Sequence, residues 1–216
     1  MEESNLGWWF EFAKELLSLV YIGQSKQFAI RELQIIVYLC HLNRYKMKKH
    51  NGMRPHDLVI LLKIAAKGSK PWLMKDLAIE LGISAGEVSE SLHRSAYAGF
   101  ISENKKKLMH SAILEFLQYG LKYVYPVRVG SLVRGMPTAH SAPPLSTQII
   151  STEAIVWPFA DGTVRGQALE PLYAAAPKAC EQDNSLYELL ALADALRIGK
   201  TRERTLAVEE LKKRFG

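Results

Sequence analysis

The residue types that could carry catalysis are scattered along this chain. A nucleotidyl-transfer site needs metal-binding carboxylates soon after a Gly-Ser loop such as Gly130-Ser131, yet the next acidic residue is Glu153, by itself. His140, Ser141, Asp161, Arg165 and Glu170 are hydrolase residue types, but no spacing brings them together. There is no Walker loop and no nucleophile elbow. The six histidines include no pair four residues apart that would clasp a metal from one helix face. Two cysteines, Cys40 and Cys180, make neither a disulfide framework nor a thiolate zinc site. The expectation is a binding protein, not an enzyme, with no cofactor and no metal.

Charge offers another kind of chemistry. Lys and Arg total 28 against 22 Asp and Glu, a net charge of +6. That balance is compatible with a polyanionic partner. It is spread unevenly: residues 1–54 carry 8 basic against 5 acidic groups, 55–125 carry 9 against 7, 126–183 carry 4 against 5, and 184–216 carry 7 against 5. No segment is a polybasic tail, and the local clusters are residues 44–49, Lys105-Lys106-Lys107 and Lys212-Lys213-Arg214. Their place on the fold decides whether they do more than solvate a surface.

The elements that must position these groups follow from length and patterning. A chain of 216 residues suits one domain with appendages, or two domains. Hydrophobic content of 48% with 23% charged residues is that of a globular chain with a core. The first residues, Met1-Glu2-Glu3, are acidic where a leader would be basic, and the best membrane candidate, residues 6–23, contains Glu11, Lys14 and Glu15. A cytoplasmic protein with no membrane association is expected. Residues 1–50 read as an N-terminal helical hairpin with Trp8, Trp9, Phe10 and Phe12 crowded at its start. Residues 1–46 also read as an upstream extension of a shorter product that begins at Met47.

The signals sharpen from Pro55, which suits a first helical turn together with Asp57 and opens an apolar run closed by Gly68. A second helix is expected from Lys75 to Leu81, ended by Gly82 in the left-handed conformation. Ser84 and Glu87 stand at the spacing of a capping box. The helix behind them buries Val88 and Leu92 and stops at Gly99. Residues 100–102 and 107–109 read as a strand pair around a tight turn, residues 111–121 as a helix ending near Gly120, and 123–129 as extended.

Two helices joined by Leu81-Gly82-Ile83-Ser84 and followed by a strand-turn-strand make a helix-turn-helix with a wing. The stretch resembles the winged helix-turn-helix domains of bacterial transcription regulators, most like the MarR-type arrangement, over about residues 54–121. The fold class expected is mainly α with a small β wing. The resemblance implies a recognition helix at about residues 84–98 in the major groove and a wing at about 101–109 on the backbone. With Val88 and Leu92 inward, the outward positions are Ala85, Gly86, Ser89, Glu90 and His93, with Ser84 at the start and Arg94 at the edge. Ser89 can bond a base or a phosphate, Glu90 can accept from a cytosine N4, and His93 can donate to a phosphate or a purine N7. Lys105, Lys106 and Lys107 at the wing tip, and Lys75, are the phosphate contacts expected. Glu90 would pair with Arg94 one turn away.

The remainder changes character. Residues 122–183 read as a loop-rich region punctuated by Gly and Pro, and 184–216 as a helical pair. Leu186, Leu189, Leu190, Ala193 and Leu196 form a stripe that needs a partner, so this pair or the aromatic N-terminal one is expected to build a homodimer interface. The function expected is a sequence-specific regulator of transcription bound to double-stranded DNA. The alternative is a winged-helix protein-interaction module, an adaptor or antitoxin-like partner of another protein, which Glu90 on the recognition face favours.

Overall fold

The computed structural model describes residues 52–215. They belong to a compact unit spanning Asn51–Gly216. The hairpin expected over 1–50 and the reading of Met47 as a start lie outside the described residues.

Helix α1 is Pro55–Lys67, with Pro55 in its first turn and the Asp57 carboxylate accepting from the Arg54 backbone N–H at 2.8 Å. Its run Leu58–Leu62 is at most 1% exposed, as its unbroken apolar sequence requires. Helix α2, Met74–Leu81, begins one residue before the expected Lys75, with Leu73 as a cap that offers no side-chain bond. Gly82 ends it at φ 64°, ψ 35°, the left-handed conformation that the tight turn into the next helix needs. Helix α3, Ala85–Tyr97, buries Val88 and Leu92 completely.

A hairpin follows, shorter than the strand pair expected: one bridge, Ile101 with Leu108, is flanked by backbone bonds from Ser102 to Lys107 and from Met109 to Phe100. Helix α4, His110–Glu115, then passes through a π-turn at Phe116–Gly120 into helix α5, Leu121–Val124. Gly120 therefore does not end the helix, and Tyr123 is helical rather than extended. Ile113, Leu117 and Leu121 are buried at strict four-residue spacing, and the wider π-turn keeps all three facing the core.

Residues 122–183, expected as a loop-rich region, carry long connections but also a sheet that the sequence did not announce. They contain β1, Leu132–Pro137, β2, Ile155–Pro158, and β3, Val164–Ala168. β1 pairs antiparallel with both others and β2 pairs parallel with β3, which closes a three-stranded barrel. A Cβ on Gly135 would overlap the Trp157 carbonyl, and one on Gly166 the Ala154 carbonyl. So small a closed sheet requires glycine at these approaches, and in the sequence those glycines look like loop punctuation.

Helix α6, Ala176–Cys180, leads into α7, Asn184–Ile198, and α8, Thr201–Phe215. The stripe of α7 is buried within this chain among α1, α8 and the barrel segment. Its apolar face thus has its partner already, and the argument for a homodimer through that stripe falls away. One polar group anchors the barrel to it: the buried Asp194 carboxylate accepts from Thr138 Oγ1 at 2.9 Å, Trp157 Nε1 at 2.6 Å and Arg197 Nη1 at 2.8 Å. Among the described residues no helix is long and apolar enough to cross a membrane.

Candidate nucleic-acid interface

The face is assembled from the start of α3 and the hairpin. Ser84 Oγ accepts from the Glu87 backbone N–H at 3.1 Å, satisfying one free donor of the first turn. Ser84, Ala85 and Gly86 are exposed, so the helix start can approach another molecule closely. Farther along, Ser89 and Glu90 are half-buried and His93 is exposed.

The hairpin tip is built by side chains of its own loop. Ser102 Oγ accepts from the Lys106 and Lys107 backbone N–H groups at 3.3 and 3.0 Å. Asn104 Oδ1 accepts from the Ser102 hydroxyl at 2.6 Å and from Lys106 N at 3.1 Å. These bonds hold Lys105 at φ 58°. Lys106 and Lys107 are exposed, while Lys105 is half-buried and its ammonium reaches across to α3, donating to His93 Nε2 at 2.7 Å. An ammonium can only donate, so Nε2 is the acceptor in this contact and Nδ1 is the ring nitrogen left to donate. Two residues expected to act separately, His93 and Lys105, are therefore one unit joining helix to hairpin. Lys75 is exposed in the first turn of α2, with no side-chain bond to the others.

Arg94 is a correction. It is 8% exposed and faces inward, where Nε donates to Asp57 Oδ2 at 2.8 Å and Nη2 to Asp57 Oδ1 at 2.7 Å. Nη2 also donates to Glu87 Oε1 at 2.6 Å. A two-bonded carboxylate in the interior outcompetes both solvent and the expected Glu90 partnership. The Asp57 bonds, with Glu87 and against the cost of burial, raise the guanidinium pKa above its ordinary value. Glu87 is the second correction: its carboxylate does not return to the Ser84 N–H, so only half of the capping box forms. Instead it meets Arg94, His56 Nε2 at 2.8 Å and Arg54 Nη1 at 3.3 Å. Burial pushes the Glu87 carboxyl up, but the Arg94 and His56 bonds outweigh it and hold the group below its ordinary value.

Sequence reasoning missed His56 and Asp57 as members of this network. Asp57 and Arg94 are 37 residues apart, and only the packing of α1 against α3 makes them neighbours. His56, Asp57 and Glu87 also offer three potential metal-ligand atoms within 4.8 Å of one another. The Arg94 guanidinium already supplies the cation between the two carboxylates, so the arrangement is that of a structural ion-pair network.

Comparison with protein-family models, with curated proteins and with solved structures finds no match to this chain.

Among the described residues no hydrogen bond or ion pair joins the side chains of the hydrolase residue types to one another. Ser141 Oγ accepts from the Ile155 backbone N–H at 2.9 Å, and His140 Nδ1 lies 3.9 Å from Glu203. Asp161 and Arg165 are exposed near the β2–β3 connection, and the Gly130-Ser131 segment runs into β1. What the chain does gather is a small exposed helix start, a histidine fixed by a lysine and a braced turn carrying two further lysines. Chemically, that set can donate hydrogen bonds to an acceptor-rich surface and neutralise phosphates.

Proposed function

We propose that this chain is a cytoplasmic, sequence-specific DNA-binding regulator of transcription, with a winged helix-turn-helix of the MarR-like kind at residues 54–121. Residues 84–98 enter the major groove and residues 101–109 lie on the backbone. The observation that carries the reading is the Lys105–His93 bond. It couples the hairpin to the exposed side of α3 and leaves Nδ1–H of His93 as a donor beside Ser89. Lys106 and Lys107 then meet phosphates, and Ala85 and Gly86 let the helix start come close to the backbone. Arg94 takes no part in contact and instead fixes the angle of α3 on α1. Two copies of the chain read a pseudo-palindromic site, with half-sites about 34–36 Å apart.

The test is selection of duplexes from a random pool by the full chain, followed by gel shift of the enriched sequence. Enrichment of a two-fold symmetric motif with a salt-sensitive shift supports the proposal; an unenriched pool with no shift rejects it. A second reading, a protein-interaction module, draws on Ile79 and Tyr97, which are 80% and 81% exposed on α2 and α3. Co-purification of a specific protein through these residues, without any DNA shift, would select it.

A further inference from the structure

A cleft of about 770 Å³ lies beside α2, walled by α1, α6 and the start of α7. This volume is in the range of small-molecule sites. The cleft holds four lysines and three carboxylates, and they divide into two groups. At the floor, Lys63 is 4% exposed and donates to Asp183 Oδ2 at 2.6 Å and Glu80 Oε2 at 2.8 Å, while Lys67 donates to Glu80 Oε1 at 2.7 Å. Two cations and two anions thus cancel there. An ammonium has three protons, and these two bonds use two of the three on Lys63. At the rim stand Lys70, Lys178 and Glu181, all exposed, and among the described residues neither lysine ammonium has an ion-pair or hydrogen-bond partner. The rim therefore carries net positive charge over a self-neutral floor with one donor to spare.

We propose that this cleft binds a small organic or inorganic anion, a phosphate ester or polycarboxylate, between the Lys70 and Lys178 ammonium groups, with the remaining Lys63 proton reaching up from the floor. Ile79, Glu80, Leu81 and Gly82 line the same cleft, so the occupant touches the end of α2 and the turn that leads into α3. That turn is already tied to the C-terminal half, because Tyr173 donates its hydroxyl to the Gly82 carbonyl at 3.1 Å. Binding holds the α2 end against α6 and α7. The proposed DNA face thereby gains an effector site, a role that rests on the DNA reading, whereas the binding itself does not.

The experiment reads binding without DNA. The full chain is titrated with inorganic phosphate, pyrophosphate and citrate at constant ionic strength, followed by calorimetry and by amide exchange. Saturable binding of a phosphate probe or of citrate is expected, and the choice between them identifies the anion class. Exchange at residues 77–83 should slow at saturation. The Lys70→Ala/Lys178→Ala double variant, with both positions exposed and outside the core, should weaken binding roughly tenfold or more. Lys212→Ala, at an exposed position outside the cleft and the proposed DNA face, should leave it unchanged. No saturable binding of any of the three probes, equal affinity in the double variant, or unaltered exchange at 77–83 would each overturn the proposal. A chain that binds the anion normally but shifts no duplex would reject the DNA reading alone.

Discussion

Arg94 and Asp57 form a two-bond ion pair between α3 and α1, with Nε on Oδ2 at 2.8 Å and Nη2 on Oδ1 at 2.7 Å. Asp57 is fully buried and Arg94 nearly so. The same carboxylate accepts from the Arg54 backbone N–H, so one buried side chain both starts α1 and fixes α3 against it. Arg94→Ala would strand the Asp57 charge and is expected to cost about 3–5 kcal/mol of unfolding free energy. Arg94→Lys keeps the charge but not the fork and should recover part of that loss. Chemical denaturation of both variants checks this; a loss below about 0.5 kcal/mol, as at an exposed position, would refute the positioning role.

A second expectation concerns pH. Burial pushes the Asp183 carboxyl up, but the Lys63 bond and the backbone N–H groups of Leu186 and Ser185 hold it below its ordinary 3.8. Glu80 is likewise held below 4.5 against burial by Lys63 and Lys67. Depressed carboxylates contribute stability that is complete above their ordinary values and lost as pH falls through the lower folded values. Lys63 has the opposite sign: burial lowers it, Asp183 and Glu80 more than reverse this, and its raised value gives stability complete below 10.5 and lost above. Stability from this cluster should be flat between those limits and fall at both ends. In Lys63→Met the unfolding free energy should depend less steeply on pH at both ends, and an unchanged profile would contradict the assignment.

The barrel makes a steric prediction. Gly135→Ala places a methyl group against the Trp157 carbonyl on the paired strand, where backbone rather than a flexible side chain must yield. A loss of about 3 kcal/mol is expected, the upper range for overpacking. Thermal unfolding followed by circular dichroism reads it, and a melting temperature equal to that of the parent would show that the strands do not close as described.

Asp194 anchors that barrel through Thr138, Trp157 and Arg197. Burial raises its carboxyl pKa, although Arg197 and the two neutral donors oppose the rise. Asp194→Ala strands three donors and should cost about 3–5 kcal/mol. Near-ultraviolet circular dichroism should show the Trp157 environment loosening, and an unaltered spectrum with parental stability would reject the anchor.

Local grammar makes much of the first half legible. Pro55, Gly82 and Ser84 each act through one or two neighbouring backbone groups, so the turn and the starts of α1 and α3 can be read without the fold. The same locality misleads at Glu87, whose capping spacing is real but whose carboxylate is drawn to Arg94 by a burial that no short window contains. Residues 122–183 are illegible for a different reason. Gly135 and Gly166 are glycines because strands far apart in sequence press on them, and a glycine under tertiary pressure looks identical to one in a loop. The α7 stripe is plainly apolar in the sequence, yet its partner is this chain. Lys105 sits at the tip that its sequence position implies, but its bond to His93 depends on how hairpin and helix meet.

His93 and Ser89 should control sequence preference. His93→Ala removes the acceptor for Lys105 and the proposed base donor together, so discrimination against a mismatched base should fall by about 1–3 kcal/mol with a smaller change on random duplex. Fluorescence anisotropy on matched and mismatched duplexes checks it; an equal loss on both would make His93 a general contact rather than a reader.

The most direct measurement is the salt dependence of duplex affinity for the parent chain and for Lys106→Ala/Lys107→Ala. Both lysines are exposed on the braced hairpin tip, so folding should be untouched. The double variant should bind every sequence more weakly, with a slope of log affinity against log salt flatter by about 2, one for each phosphate that is no longer neutralised. A parent chain with no salt-sensitive affinity, or a variant with parental affinity and slope, would contradict the DNA-binding role assigned to this face.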